Sequence, residues 1–481
     1  MREQISTMMK KQVDTEFLHV KKPHMSKSAG ILLKDLLYGK GLSQAKLADK
    51  VGVIQKTVGR WMRGECLPQS SLHQRLADAL GITKDQLKDI LKHPDQSSGD
   101  LQEPQGIHVN ADEEMQEFTM SKLEDAINNA ELGWTLNIIG EDQSTKLATL
   151  TQELRGRVSQ TGDGKQISSG FSYWGISPAI FWTEACRDRL YRVMWEGIET
   201  FRERWMPFLP LLGSQKYHYV SLGVGTGDKD RNVLNALHQR YPQLYYFPMD
   251  MSPEMLRIGV QESAKGSALE RRKVLPIQLD FSIKRNIAKC RSFFYDIVKE
   301  EPLLFSLLGN TLANFEEDVQ LLKTLTTFLR PQDRLLLEVA YTDVLNEEVA
   351  EKAANEYAES RRFQEFVISA LFQNTDLSIR SEDVLFWGTI EQERAIQIKA
   401  VYQNRTHELV QILLPDHSSV PFPPEDTIRL YLSRKYTSSG INTFLIESGL
   451  SLLGTQKTSF ENDAARGIEL LLLARSETEM G

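Results

Sequence analysis

The sequence has few cysteines and no long apolar segment. Three cysteines among 481 residues are too few and too scattered for a disulfide framework or a cysteine-rich zinc site, which favours a reducing compartment. The nine histidines show no spacing typical of a metal site. No apolar run reaches the ~18 residues that a membrane span requires, and residues 1–4 lack the apolar core of a signal peptide. We therefore expect a cytoplasmic protein with neither a metal ion nor a membrane partner.

Charge is distributed unevenly along the chain. The overall composition, with 41% hydrophobic and 25% charged residues, is ordinary for a globular protein, and the length allows two to four domains. Residues 1–92 contain 17 Lys and Arg against 9 Asp and Glu, a net charge of +8, which leaves −16 on the remainder. A basic head on an acidic body indicates two functions in one chain, with the head facing a polyanion.

Composition also suggests where the domains begin and end. We expect a polar arm over residues 1–25 and a small all-α domain over residues 26–92. Residues 93–118 contain seven acidic and no basic residues, which is typical of a linker, so residues 93–165 are interpreted as an acidic linker and helical connector. Residues 166–481 would then form the main domain.

Apolar runs in the main domain alternate with helical patterns, which predicts an α/β fold with a parallel sheet. Five short runs are expected to be strands and lie at residues 217–222, 244–249, 274–279, 303–308 and 334–340. A late buried strand is expected at residues 468–474. A long amphipathic helix is expected over residues 187–205, and a charged helical stretch over residues 346–366.

A glycine-rich stretch follows the first of these strands. Residues 219–228 read YVSLGVGTGD, so an apolar strand runs directly into Gly223, Gly225 and Gly227. Glycine lets the backbone turn tightly and approach a ligand at a helix N-terminus, whereas Asp228 is interpreted as a residue that starts the helix.

Two later strands each end in an acid. Asp250 could accept both hydroxyls of a ribose, and Asp280 could hold an adenine amino group, although a loop-capping role is its alternative. The pattern suits a nicotinamide dinucleotide or S-adenosylmethionine. The third glycine comes one residue too early for the dinucleotide fingerprint, and Asp280 also favours S-adenosylmethionine.

The basic head contains two short helical patterns joined by a glycine turn. Ser43 is a candidate N-cap for the first helix, Gly52 lies in the turn, and residues 55–61 form the second helix. Two such helices can present the second one to the DNA major groove.

The spaced residues 43–68 resemble the lambda-repressor-like (XRE-type) helix-turn-helix family. The resemblance implies that Gln44 anchors a backbone phosphate, and that Gln55, Lys56 and Arg60 face the groove. Gln55 is then the candidate for reading an adenine edge. A helical module that docks protein instead of DNA is the alternative. Because such heads usually read paired half-sites, a homodimer is possible.

The body carries a second set of ordered motifs. Residues 307–315 read LLGNTLANF, residues 250–252 DMS, residues 329–333 LRPQD and residues 433–436 SRKY. Their order resembles the histidine-specific, S-adenosylmethionine-dependent methyltransferases, the family of the ergothioneine-pathway histidine Nα-methyltransferase. The resemblance implies a class I Rossmann-like fold with an additional substrate-binding region, and S-adenosylmethionine as cofactor.

The resemblance also implies roles for single residues. Asn314 would hold the amino group of the substrate, Gly309 would line the same pocket, and Ser433 would lie near a bound imidazole. Tyr431 stands where the family has a glutamate that grips the imidazole, so free histidine is in doubt as the substrate. Tyr431 is either a substrate contact or a packing residue.

Two further tyrosines and two functional hypotheses complete the expectations. Tyr173 and Tyr191 correspond, with poor spacing, to family tyrosines near the start of the domain. The first hypothesis is an N-methyltransferase acting on a small amino-acid-like amine, with a DNA-binding or autoregulatory head. The second is a transcriptional regulator whose body senses S-adenosylmethionine or an amino acid without turnover.

Overall fold

The computed structural model describes residues 33, 37, 42, 44–62, 67–68, 70–91, 136–139, 143–266, 269–281 and 283–476. The chain divides into two compact units, Met1–Glu113 and Glu114–Gly481. The expected arm (residues 1–25), the acidic linker (residues 93–118) and the expected cap Ser43 lie outside the described residues.

The described secondary structure of the first unit consists of helices. Its helices are α1 (Gln44–Val51), α2 (Gln55–Met62), α3 (His73–Leu80) and α4 (Lys84–Leu91). Leu47, Val58 and Trp61 are at most 2% exposed and pack in one core. Gly52, between α1 and α2, has a φ of 78°, a left-handed conformation that favours glycine. The predicted helix, glycine turn and second helix are therefore confirmed.

The second unit contains a large mixed sheet and a separate two-stranded one. Its strands are β1 (Asn137–Ile138), β2 (Lys165–Gln166), β3 (His218–Leu222), β4 (Tyr246–Asp250), β5 (Ile277–Gln278), β6 (Leu303–Leu307), β7 (Arg334–Thr342), β8 (Val384–Glu391), β9 (Ala395–Gln403), β10 (Val410–Leu413), β11 (Ser419–Phe422), β12 (Thr427–Tyr436), β13 (Leu450–Phe460) and β14 (Asp463–Arg475).

The helices of this unit mostly alternate with the strands in its first half. They are α5 (Gln143–Leu154), α6 (Ile176–Cys186), α7 (Arg192–Glu199), α8 (Phe201–Trp205), α9 (Asp228–Arg240), α10 (Pro253–Ser263), α11 (Lys284–Val298), α12 (Asp318–Thr326), α13 (Glu347–Glu359), α14 (Arg361–Asn374) and α15 (Ser438–Glu447). Among the described helices, none is long and apolar enough to cross a membrane.

The core of the large sheet is parallel and covered on both faces. Strands β5, β4, β3, β6 and β7 are adjacent in that order and parallel. Val220 of β3 packs in a cluster with side chains of α11, α12 and α15. Its neighbour Tyr219 packs on the opposite face with side chains of α8, α9 and α10. This doubly wound arrangement is the predicted Rossmann-like α/β fold.

Mostly antiparallel strands extend the sheet beyond β7. Strand β14 is antiparallel to β7 and carries β13 on its far side. Strand β12 pairs in parallel with the end of β7, with Tyr436 opposite Tyr341. On its other side, β12 is antiparallel to β9, and β9 is antiparallel to β8. Helix α13 packs against β8 and β9, and α14 packs against α6 and β12. Together with these helices, the strands form an additional region beside the core.

All six expected strands are present, and the two expected helical segments are each interrupted once. Residues 187–205 contain α7 and α8, which are separated at Thr200. The Thr200 hydroxyl donates a hydrogen bond to the Glu196 carbonyl, a side-chain bond that competes with regular helix. Residues 346–366 break at Ser360, whose hydroxyl caps α14 by accepting from the Phe363 N–H at 3.1 Å.

Candidate active site

The loop after β3 carries the three glycines of the predicted cofactor motif. All three have positive φ angles, and the loop leads directly into α9. At Gly227, with a φ of 81°, an added Cβ would lie 2.2 Å from the carbonyl oxygen of Gly259 in α10. Glycine is required there because the backbone of the loop packs directly against that helix.

Two carboxylates lie at the same edge of the sheet as the glycine loop. Asp250 is the last residue of β4 and Asp280 follows β5, a parallel neighbour. Carboxyl ends of parallel strands are where doubly wound folds bind ligands. The Ser252 N–H donates to Asp250 Oδ1 at 3.0 Å, and burial raises the pKa of Asp250 to about 6.

A cavity of about 730 Å³ opens at this edge. Its lining includes eight residues that the sequence singled out: Gly223, Gly225, Gly227, Asp250, Asp280, Gly309, Asn314 and Tyr173. The cavity therefore brings together all five expected cofactor residues and three of the expected substrate residues. Tyr191, Tyr431 and Ser433 do not line it.

The Asn314 side chain is held between two phenols on the cavity wall. Asn314 ends a short 3₁₀ turn, Thr311–Asn314, and is 7% exposed. Tyr431 Oη donates to Asn314 Oδ1 at 2.9 Å, and Asn314 Nδ2 donates to Tyr173 Oη at 3.2 Å. Burial raises the pKa of Tyr431 to about 12, so its hydroxyl remains a donor at neutral pH. These contacts fix the orientation of the amide.

Behind Asn314 the wall is filled by aromatic rings. The Tyr431 ring lies 5.1 Å from that of Phe363 and 6.1 Å from that of Phe366. Tyr191 is buried one layer further back, with its ring 4.5 Å from that of Phe363 and 5.4 Å from that of Tyr357. Tyr431 therefore both packs in this cluster and contacts Asn314.

Ser433 is buried in a polar network that anchors residues 308–315, the loop after β6, which we call the signature loop. Its Oγ accepts from Asn310 Nδ2 at 3.2 Å and lies 3.2 Å from Tyr357 Oη. Asn310 has a φ of 60°, and its Oδ1 accepts from the Ala340 N–H at 2.9 Å. Asn310 thus ties the loop to both β7 and β12.

Sequence reasoning missed a buried ion cluster beside Gly309. Glu338 of β7 accepts from Arg204 Nη2 at 2.9 Å and from the Gly309 N–H at 2.7 Å, and it also pairs with Lys229. Burial would raise the pKa of Glu338, but the charges of Lys229 and Arg204 lower it below its usual value. A single acid within the apolar run of residues 334–340 was the available signal.

Two basic residues of the cavity wall were also missed. Lys146 of α5 lines the cavity near the two carboxylates. Arg429 of β12 is 5% exposed, donates to Gln166 Oε1 at 2.5 Å and pairs with Glu316. Neither lies in a recognisable motif, because each reaches the cavity only through long-range packing.

The expected DNA-contacting residues lie on α1 and α2. Gln44 is half-buried and begins α1, and Gln55 begins α2, although its side chain lies outside the described residues. Lys56 and Arg60 are exposed on α2. Ile54, immediately before α2, is 70% exposed.

The fold and the cavity together define an S-adenosylmethionine-dependent methyltransferase that follows a helix-turn-helix unit. The profile of the family described as "Histidine-specific methyltransferase, SAM-dependent" matches residues 180–464, and a helix-turn-helix profile matches residues 33–87. The chain therefore belongs to the histidine-specific, S-adenosylmethionine-dependent methyltransferase family. Both suspected resemblances and the predicted cofactor are confirmed. No curated protein matches the chain.

Solved structures of other methyltransferases are distantly similar. An S-adenosylmethionine-dependent methyltransferase from Clostridium acetobutylicum ATCC 824 is 10% identical, with 58% of this chain and 92% of that chain covered and a TM-score of 0.30. The glycopeptide N-methyltransferase MtfA complexed with S-adenosylmethionine is 14% identical, with coverages of 58% and 93% and a TM-score of 0.28. At these values the likeness carries no argument about the methyl acceptor.

Proposed function

We propose that the second unit transfers the methyl group of S-adenosylmethionine to the nitrogen of a small amino-acid-like amine, histidine or a related molecule. The observation that carries this proposal is the oriented amide of Asn314 on the wall of the cavity that also holds the glycine loop. In the proposal, Gly223, Gly225 and Gly227 approach the cofactor, while Asp250 and Asp280 receive its ribose and adenine.

The bound cofactor supplies an electrophilic methyl group on a sulfonium. The residues of the chain then need to hold a neutral amine with its lone pair in line with that methyl group, and positioning of this kind supplies most of the rate. Tyr431 and Tyr173 keep the Asn314 amide fixed, and its oxygen dipole can stabilise the positive charge that develops on nitrogen. Tyr431 and Ser433 act in this scheme by positioning Asn314 and the signature loop.

The test is transfer of a labelled methyl group from S-adenosylmethionine to a panel of amino acids and amines. We expect the wild-type chain to methylate at least one amine, and Asn314→Ala to lower kcat/KM about a hundredfold. Asn355→Ala, at an exposed position of α13, is the matched control and should leave kcat/KM unchanged. The proposal fails if the wild-type chain binds the cofactor but methylates none of the panel.

A sensor without turnover is the second candidate function. It is favoured by Tyr431, which by the resemblance replaces the glutamate that grips the imidazole in the family. The Tyr431 hydroxyl already donates a hydrogen bond to Asn314 Oδ1. A sensor would bind S-adenosylmethionine in calorimetry and yet return no labelled product in the same assay, with any amine tested. Cofactor-dependent DNA binding by the full chain would then identify its output.

We further propose that the head, residues 26–92, binds DNA. Lys56 and Arg60 are exposed along α2, where they can contact a major groove, and Gln44 at the start of α1 can contact a phosphate. In this proposal Gln55 reads a base edge and two copies of the chain bind paired half-sites.

Salt dependence tests the DNA proposal directly. Affinity for duplex DNA should fall steeply with salt, and Lys56→Ala should reduce the slope of log K against log salt by about 1. Lys88→Ala, which removes an exposed lysine of α4 paired with Asp85, serves as the control. Absent or salt-insensitive binding would favour a protein-docking head.

A further inference from the structure

The segment that precedes the family match is built into the sheet beside the cofactor cavity. Strand β1 pairs in parallel with β5, with Asn137 opposite Ile277 and Ile138 opposite Gln278. Helix α5 follows β1 in sequence, and Lys146 and Thr149 of this helix line the cavity. Because the family match begins at residue 180, these contributions lie outside the part that the family profile describes.

Lys146 is held at the carboxyl ends of β4 and β5. Its Nζ donates to the carbonyl oxygen of Met251 at 3.2 Å, and Met251 directly follows Asp250. Gln278 Nε2 donates to the same carbonyl at 3.3 Å. The ammonium is therefore fixed at the point where the two expected cofactor carboxylates, Asp250 and Asp280, reach the cavity.

The charges at this point are complementary. Burial lowers the pKa of Lys146, and the charges of Asp280 and Asp250 counteract that effect. In return, the Lys146 charge counteracts the rise that burial imposes on the pKa of Asp250. Charge interactions of this kind are stronger in a partly buried site than in bulk water.

We propose that Lys146 is a cofactor-positioning residue, a counter-ion that holds Asp250 and Asp280 as charged acceptors for the ribose hydroxyls and adenine amino group. The inference rests on the cofactor roles proposed above for these two carboxylates. It predicts that a lysine supplied from outside the matched family region sets the affinity for the adenosine half of the cofactor. The sulfonium is not involved, so S-adenosylmethionine and S-adenosylhomocysteine should respond equally.

Calorimetric titration of the full chain with each of the two ligands tests the proposal. Lys146→Met should raise both dissociation constants about tenfold or more, because a partly buried charge pair loses one partner. Lys146→Gln keeps a hydrogen-bond donor for the Met251 carbonyl but should lose as much cofactor affinity as Lys146→Met. Lys146→Arg keeps the charge, and its affinity should stay within about threefold of that of the wild-type chain. Lys289→Met removes an exposed lysine of α11 and should leave both constants unchanged.

A double-mutant cycle separates a positioning role from a structural one. If Lys146 acts through Asp250, then Lys146→Met should add little to the loss already caused by Asp250→Asn. Additive losses, full affinity in Lys146→Gln, or a loss confined to S-adenosylmethionine would overturn the inference. Because cofactor binding needs no acceptor, a chain that methylates nothing would refute the proposed function and leave this inference intact.

Discussion

Glu338→Gln is the substitution whose effect the structure defines most closely. Glu338 of β7 is 1% exposed, and its two carboxylate oxygens form ion pairs, Oε1 with Arg204 and Oε2 with Lys229. Glutamine keeps the shape of the side chain but removes its charge. The two cations would then remain in the interior without a counter-charge, because Arg204 is 1% exposed and the Lys229 side chain only 8% exposed.

The expected magnitude follows from which partner is removed. Removing one member of a buried ion pair generally destabilises a protein by about 3–5 kcal/mol. Glu338 also accepts the Gly309 N–H at 2.7 Å, and a glutamine oxygen can keep that bond. We therefore expect the free energy of unfolding to fall by about 3–4 kcal/mol, with the loop at Gly309 retained.

Urea unfolding followed by tryptophan fluorescence measures this loss. The control is Glu382→Gln, whose side chain is 65% exposed and whose partner Arg380 is 68% exposed, and we expect a loss of about 1 kcal/mol or less. The pKa of Glu338 lies below its usual value, so its contribution is complete above the unfolded pKa of about 4.3 and is lost as the pH falls through the folded pKa. Equal losses for the two variants would refute the reasoning.

Three further outcomes are expected. Because burial raises the pKa of Asp250 to about 6, the affinity for S-adenosylmethionine in calorimetry should fall up to about tenfold per pH unit below 6, and a constant affinity from pH 5 to 8 would contradict this. Trp61→Ala should destabilise the head by about 3–5 kcal/mol in thermal unfolding, whereas Ile54→Ala, at a 70% exposed position, should change it by less than about 0.5 kcal/mol. Tyr431→Phe removes the donor to Asn314 and should slow methyl transfer about tenfold without changing cofactor affinity; an equal loss of cofactor affinity would count against the positioning role.

The parallel core could be predicted from the sequence because its signals are local. Each buried strand is a short apolar run, and the glycine loop follows one of them directly. Strands β9 and β12 interrupt their apolar residues with polar ones, and β12 also pairs with a segment far away in the chain, where Ile428 lies opposite Lys165. The break at Ser360 was readable in principle, because serine before a helical run is a preferred N-cap.

The residues that line the cavity fall into the same two groups, those that local patterns predict and those that they do not. The residues contributed by motifs, such as Gly225 and Asn314, were found because each motif carries its own pattern. Lys146 and Arg429 were not found, because only the folded chain places their charges on the cavity wall. Local sequence patterns thus predict the site residues that lie in motifs, and tertiary packing determines which other residues join them.

The change at Tyr431 shows why the acceptor does not follow from the family alone. The resemblance implies that an acid is missing, but a missing acid can leave space, water or a new contact. Here the tyrosine fills the space with a ring packed on Phe363 and Phe366, and its hydroxyl donates to Asn314. By the resemblance drawn above, the family has a carboxylate where this chain has a buried phenol that does not line the cavity. In the proposed function, the contact with Tyr431 orients Asn314 toward the amine, and another part of the cavity recognises the side chain of the acceptor.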